Sequence, residues 1–484
     1  MIPPSEQIPQ EWARVHFAGA ELSRVKQVDR VLTIAEAMAQ SPGATLPQMF
    51  AHPYDLKAAY QFFADPEATP DHLQAGHREG VLLELEKPGL YLLIEDTSEI
   101  RCTDKEHPLP GLGPIGASKE AQMGFHLHSV LAVKWPVVCD AATPRRPAVE
   151  ILGLADQQYH VRQPRPAHEP PHSSARRVRP APQLESVLWE QACVRLGPAP
   201  TNPEVTWVKV GDRGSDIYDH LAACQKAGQR FVIRAAKERV LVEEDGRAAG
   251  KLFEKARASA SLGMVALELR ARPQQPARQA QLAISVTSVR LRAPQADGHG
   301  PGVRPALTCA VVRGWEPQPP AGVKPLEWVL LTDLPVATFA QACQVVRIYA
   351  TRWLEEEFHK ALKTGMNVEA LQLETAHEWF AATALLSVAA LRLLHLRELA
   401  RLMPEAPAAL TGLSELELEV LQYRVKKPLK TVRDVILGIG RLGGHLNRKG
   451  DGLPGWITLW RGWQYLQTLV EGALIGRTLK LKPD

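Results

Sequence analysis

The period of the apolar positions changes along the chain. From Leu22 the residues Leu22, Val25, Val28, Leu32, Ala35 and Met38 recur at spacings of three and four, which predicts an amphipathic helix with Arg24, Lys26 and Arg30 on its polar side. Ser41-Pro42-Gly43 breaks it, residues 56–63 predict a second helix, and Thr69-Pro70 is a cap and first-turn pair for a third. Residues 1–72 therefore read as a helical unit. After Gly89 the continuous apolar run Leu90-Tyr91-Leu92-Leu93-Ile94 ends in Glu95-Asp96-Thr97-Ser98, the pattern of a strand buried on both faces. A second apolar run, 128–138, follows a loop bearing Gly111, Gly113 and Gly116. Thr206-Trp207-Val208-Lys209-Val210 then leads into Gly211-Asp212-Arg213-Gly214, and residues 217–227 read as helix, giving a strand, a turn and a helix.

Residues 231–233 predict another strand, and the stretch 240–333 alternates short β-rich runs with Pro and Gly loops. This is read as a β-rich insertion at about 235–337. Helical periodicity returns at Thr338 and dominates to the end, through 378–402, 414–423, 431–441 and 456–475. The expected architecture is α/β: a core over 73–370 that carries the insertion, with helical domains at 1–72 and 371–484. The longest apolar run, 380–391, stops at Arg392 and is shorter than the ~18 residues a bilayer-spanning helix needs, so it predicts a buried helix.

Composition narrows the class without naming it. The chain has 484 residues, a formal net charge of +4, 45% hydrophobic and 23% charged residues, which excludes wholesale disorder and gives no global nucleic-acid signature. The N-terminus lacks the basic start and apolar core of a secretory signal, so a cytoplasmic protein is expected. Six cysteines (Cys102, Cys139, Cys193, Cys224, Cys309, Cys343) lie far apart with no Cys-x-x-Cys pair, and read as reduced thiols without a zinc site. Residues 162–180 are rich in Pro, Arg and His and predict a mobile basic loop.

Candidate chemistry sits on residues 341–363. On one continuous helix at about 100° per residue, Tyr349, Arg352, Glu356, Lys360 and Lys363 fall within about 80° of arc, opposite an apolar stripe of Leu354, Phe358 and Leu362. A solvated face with an Arg352–Glu356 pair would look the same. Asp96 and Asp212, however, each end a predicted buried strand, where α/β proteins assemble sites.

These residues resemble the bacterial cut-and-paste DDE transposases of the insertion-sequence-4 group, the composite-transposon Tn-five type. Tyr349, Arg352, Glu356 and Lys363, with gaps of two, three and six, match that family's signature, and Phe358-His359-Lys360 and Lys363-Thr364-Gly365 match adjoining words. Ile94-Glu95-Asp96-Thr97 and Gly211-Asp212-Arg213 resemble its two aspartate motifs, at separations of 212 − 96 = 116 and 356 − 212 = 144. Leu56-Lys57-Ala58-Ala59-Tyr60 resembles its N-terminal DNA-binding unit, residues 230–234 a core strand, and residues 325–332 the end of its insertion. Arg441-Leu442-Gly443-Gly444 and Leu459-Trp460-Arg461-Gly462-Trp463 resemble its dimerising region.

The resemblance implies an RNase H-like core in which Asp96, Asp212 and Glu356 are catalytic and hold two Mg²⁺ ions, with Mn²⁺ able to substitute. Hard cations take carboxylate oxygens, which suits that donor set. It implies DNA contacts from Tyr349, Arg352, Lys363 and Arg234 and a base-stacking Trp328, while Lys26 and Arg30, on the polar side of the first predicted helix, are the candidates for end recognition in a unit that departs from the family around residues 39–43. The partners implied are double-stranded DNA, as inverted-repeat ends and target, and a second copy of the chain; the protein is bacterial and nucleoid-associated when bound. The implied reaction runs through 3′ nicking, hairpin formation, hairpin opening and strand transfer. Two alternatives stand beside it: a catalytically inactive relative that represses transposition by occupying ends, and an RNase H-like nuclease or resolvase without strand transfer.

Overall fold

Helix starts are written by hydroxyl residues. Thr69, Thr338, Thr375, Ser414 and Thr431 each stand one residue before a helix and accept a hydrogen bond from a backbone N–H of its first turn. The computed structural model describes residues 9–50, 52–104, 107–116, 122–136, 147–163, 184–269, 277–294, 304–448 and 451–478. Most of the basic stretch 162–180 lies outside them.

The N-terminal unit comprises helices α1 (Pro9–Phe17), α2 (Val25–Gln40), α3 (Leu46–Met49), α4 (Pro53–Phe63) and α5 (Pro70–Leu85). They close over Trp12, Phe17, Ile34, Met38 and Phe63. The buried face of α2 differs from the periodicity reading: Gln27, Val31, Ile34, Ala35 and Met38 point inward, and Val25 is 78% exposed. Gln27 can take an inward position because its amide nitrogen donates to the Asp65 carboxylate at 2.7 Å and its oxygen accepts from Arg24 N–H at 3.3 Å.

The strands are β1 (Gly89–Asp104), β2 (Gly113–Ile115), β3 (Gln122–Lys134), β4 (Glu150–His160), β5 (Val205–Gly211), β6 (Arg230–Arg234), β7 (Val240–Val242), β8 (Ala248–Lys251), β9 (Gly263–Leu269), β10 (Arg278–Leu291), β11 (Leu307–Trp315) and β12 (Glu327–Thr332). All join one mixed sheet. Its central part runs β4-β3-β1-β5-β6, with β3 antiparallel to β1 and β4, and β5 and β6 parallel to β1. The β-rich stretch is not a separate layer: β12 pairs antiparallel with β6, and β11 and β10 continue the sheet outward from it. A helix, α8 (Leu252–Ala258), also interrupts that stretch.

Alternation along β1 and β5 sorts the two faces. Tyr91, Leu93 and Trp207 pack with Ala192 and Leu196 of α6 (Val187–Leu196), on the side that also holds α7 (Tyr218–Lys226). Leu92, Ile94, Val208 and Val210 face the opposite core. That core contains α9 (Phe339–Thr351), α10 (Trp353–Lys360) and α11 (Ala376–Leu402). The helix α11 is long and apolar enough to cross a membrane, but 94% of its apolar window is buried inside the protein, as the interrupted run predicts. Its Arg397 pairs with Glu357 of α10 and Glu398, locking the two helices together.

The chain ends in α12 (Glu415–Val425), α13 (Val432–Leu442) and α14 (Trp456–Thr478). Two glycines let α13 and α14 cross closely. A Cβ on Gly462 would sit 1.8 Å from the Ile439 carbonyl oxygen, and one on Gly443 would sit 1.8 Å from that of Thr458.

Candidate active site

Strand register brings the two aspartates together. Ile94 on β1 pairs with Val210 on β5, and two residues beyond each lie Asp96 and Asp212, on the same face as that apolar pair. Parallel pairing stops there because β5 ends at Gly211 and turns, while β1 continues to Asp104 against β3. Asp96 is therefore inside a long strand rather than at its end, at the point where its neighbour departs. Asp212 opens the turn: its Oδ1 accepts from Gly214 N–H at 2.6 Å, and the Ser215 hydroxyl donates to its carbonyl at 2.7 Å.

Glu356 arrives from the helices covering this face. Residues 341–363 do not form one uniform helix. The chain tightens at Arg352, where N–H groups bond three residues back (Arg352 to Tyr349, Glu355 to Arg352), and widens to a π turn over Ala361–Gly365. Leu354, Phe358 and Leu362 are buried as the stripe requires. Arg352 reaches across the gap, with Nη1 3.1 Å from Asp96 Oδ2 and Nη2 2.5 Å from Glu356 Oε1. The guanidinium thus ties the first aspartate to the glutamate, and like-charge interaction links Asp96 to Asp212. Burial, then the Asp212 charge, pushes the Asp96 carboxyl up to about 6, with Arg352 pulling the other way.

The other sequence-predicted residues divide. Trp328 is buried and meets Tyr349 edge to face, with ring centroids 4.9 Å apart. Arg234 donates to the Glu327 carbonyl at 3.1 Å. Lys363 lies on the π turn, 3.8 Å from Glu369. Lys360 is exposed and lies over the Trp353 ring. In the N-terminal unit Lys26 is exposed, whereas Arg30 pairs with Asp55 at 3.2 Å.

Sequence reading overlooked a set of charges directly behind the aspartates. Glu95 and Lys209, one and three positions before Asp96 and Asp212 and so on the opposite parity, face α6 and α7 and are fully buried, 3.0 Å apart. His128 and His220 each stand 3.4 Å from the same carboxylate. Burial opposes charge at Glu95, yet Lys209 foremost, then the two histidines, hold it well below the usual carboxylate range. The available signal was a charged residue on the same parity in each of two otherwise apolar strands. Glu355, also fully buried, is pushed well above its usual range by desolvation and the nearby Asp96 charge. The scattered cysteines also converge: Cys193 on α6 and Cys224 on α7 lie with their sulfurs 3.5 Å apart, beside His220.

Two family models match the chain. One, described as transposase DNA-binding, covers residues 9–68, the helical unit bearing Lys26, Arg30 and the Leu56–Tyr60 word. The other, described as the transposase Tn5 dimerisation domain, covers residues 388–481, including the close crossing of α13 and α14 and both aromatic and glycine words near it. The carboxylates lie between the two matched segments. Matched at both ends in this way, the chain carries the DNA-binding and dimerisation units of a Tn5-type transposase.

Proposed function

We propose that the chain is a catalytically competent transposase and moves DNA by a cut-and-paste route, with Asp96, Asp212 and Glu356 as its catalytic carboxylates. The observation that carries the reading is the juxtaposition of Asp96 and Asp212 by register, with Glu356 tied to Asp96 through Arg352. The sheet order β4-β3-β1-β5-β6 is consistent with the RNase H-like core that this chemistry uses.

The three carboxylates suit a hard divalent cation. They offer only oxygen donors, Asp96 and Asp212 are half-buried rather than sealed, and the Asp96 carboxyl, raised first by burial and then by the Asp212 charge, is only partly offset by Arg352. When bound, a pair of Mg²⁺ ions, or Mn²⁺ in their place, supplies charge neutralisation at phosphorus and an activated oxygen nucleophile. Arg352 has donors to spare once its carboxylate partners turn to other ligands, and can then clamp a phosphate bidentately. Lys363 and Arg234 extend the phosphate track, and Tyr349 donates from its hydroxyl. Trp328 stacks on an unpaired base only if it leaves its place against Tyr349, which ties base capture to a movement of that aromatic pair.

In this reading water attacks at the element end and releases a 3′-OH, which attacks the opposite strand to close a hairpin. A second water reopens the hairpin, and the same 3′-OH joins target DNA. Residues 1–72 recognise the inverted-repeat ends through Lys26 and Arg30, residues 73–370 carry the chemistry, and residues 371–484 pair two copies across a synapsed pair of ends. The protein works in the bacterial cytoplasm on nucleoid DNA.

The test separates cleavage from binding. Asp212→Ala is expected to abolish Mg²⁺-dependent cleavage of end DNA while leaving its gel-shift affinity within about threefold of the parent. Equal loss of binding and cleavage would contradict the assignment, and a parent that binds ends but never cuts them would mark the chain as a repressor.

A further inference from the structure

We propose that Cys193, Cys224 and His220 form a second metal site, on the face of the sheet opposite the catalytic carboxylates, that takes a soft divalent ion, Zn²⁺. His220 and Cys224 are one turn apart on α7 and so share a face, and Cys193 meets them from α6. The two sulfurs and a ring nitrogen lie within 4.8 Å of one another, and all three residues are at most 1% exposed. Two thiolates on a tetrahedral zinc, at Zn–S distances of ~2.3 Å, stand ~3.8 Å apart. The observed 3.5 Å needs little adjustment.

The histidine is oriented as a ligand. Its Nδ1 donates to the Ser215 carbonyl at 3.1 Å, which turns Nε2 toward the thiols, and that fully buried nitrogen makes no hydrogen bond of its own. Glu95 Oε1, likewise without a hydrogen-bond partner, is 3.4 Å from Nε2, beside the three-residue cluster rather than within it, and would become a fourth donor only by shifting toward the sulfurs. Two ligand atoms each ~2.0 Å from one zinc stand ~3.3 Å apart, so this separation also fits. Charge balances as well: Zn²⁺ cancels the two thiolates, and the Glu95 carboxylate is matched by the Lys209 ammonium. Thiolate and imidazole donors select zinc over the hard ions that suit carboxylates, so the two sites take different metals.

The metal would act structurally. It would fasten α6 to α7, and through Ser215 it would brace the turn that Asp212 opens. Such a closed, dry site is filled during folding.

The experiment is metal analysis of the full-length protein expressed with zinc in the medium and purified without chelator. About one zinc per chain is expected in the parent and in Asp212→Ala, and less than about 0.1 in the Cys193→Ser/Cys224→Ser variant. Because that variant could fail to fold, the parent is also reconstituted with Co²⁺, which should show intense sulfur-to-cobalt charge transfer and tetrahedral d–d bands. Absence of zinc together with a Co²⁺ spectrum lacking sulfur bands would overturn the proposal. So would a Cys193–Cys224 disulfide in the purified chain, or zinc that is lost from Asp212→Ala but kept by the cysteine variant.

Discussion

Acid should weaken this fold through one buried histidine in particular. His77 on α5 is 2% exposed; its Nε2 accepts the Leu154 N–H of β4 at 3.0 Å, and its Nδ1 lies 2.9 Å from His16 Nδ1. Burial foremost, then the charges of His395 and Arg78, lowers it from 6.5 to about 3. The folded value is below the unfolded one, so on acidification the unfolded chain takes the proton first. Stability is intact above about pH 6.5 and is lost as pH falls toward 3. Each pH unit in that window costs about 1.4 kcal/mol, so going from pH 7.5 to 5 removes about 2 kcal/mol through this residue. In His77→Gln the amide oxygen can still accept from Leu154, but nothing titrates. Urea unfolding followed by tryptophan fluorescence at pH 7.5 and 5 should show a stability loss about 2 kcal/mol smaller in the variant than in the parent. It should not vanish, because His395 and His359, also lowered by burial, remain. An unchanged loss in His77→Gln would refute the reasoning.

Three further perturbations probe other parts. Lys209→Met, measured in EDTA, should cost about 3 to 5 kcal/mol by stranding the buried Glu95 carboxylate, and adding Glu95→Gln should recover at least half in a double-mutant cycle; a single-variant cost below about 1 kcal/mol would contradict the ion pair. Gly462→Ala forces α13 and α14 apart and should destabilise the C-terminal unit by about 1 to 3 kcal/mol, whereas Gly472→Ala, whose Cβ meets nothing within 4 Å, should be neutral or stabilising in the same thermal melt. Arg30→Ala should weaken end binding and reduce the slope of log K against log salt by about one, read from gel shifts over a salt series.

The helices were legible where capping residues and a 3.6-residue period coincide, as at Thr69, Thr338, Ser414 and Thr431. Periodicity misplaced the inner face of α2, because a buried Gln27 counts as polar in sequence and becomes acceptable only through its bond to Asp65, 38 positions away. The apolar run before Asp96 was legible as a strand, but its continuation to Asp104 depends on pairing with β3, and the polar Thr97, Ser98 and Glu99 conceal it. A fixed 100° advance could not show the tight turn at Arg352 or the π turn at 361–365. The buried Glu95–Lys209 pair and the meeting of Cys193 with Cys224 arise from strand register and helix packing across long separations, for which no local spacing is a guide.

The most direct test of the central claim is release of a donor segment bounded by the gene's own flanking DNA, in Mg²⁺ and in Ca²⁺, with the parent and Glu356→Gln side by side. The expected result is Mg²⁺-dependent double-strand release with hairpin ends from the parent, and none from the variant, although both shift the DNA. Shifted but uncut DNA from the parent in Mg²⁺, or undiminished release by Glu356→Gln, would contradict it.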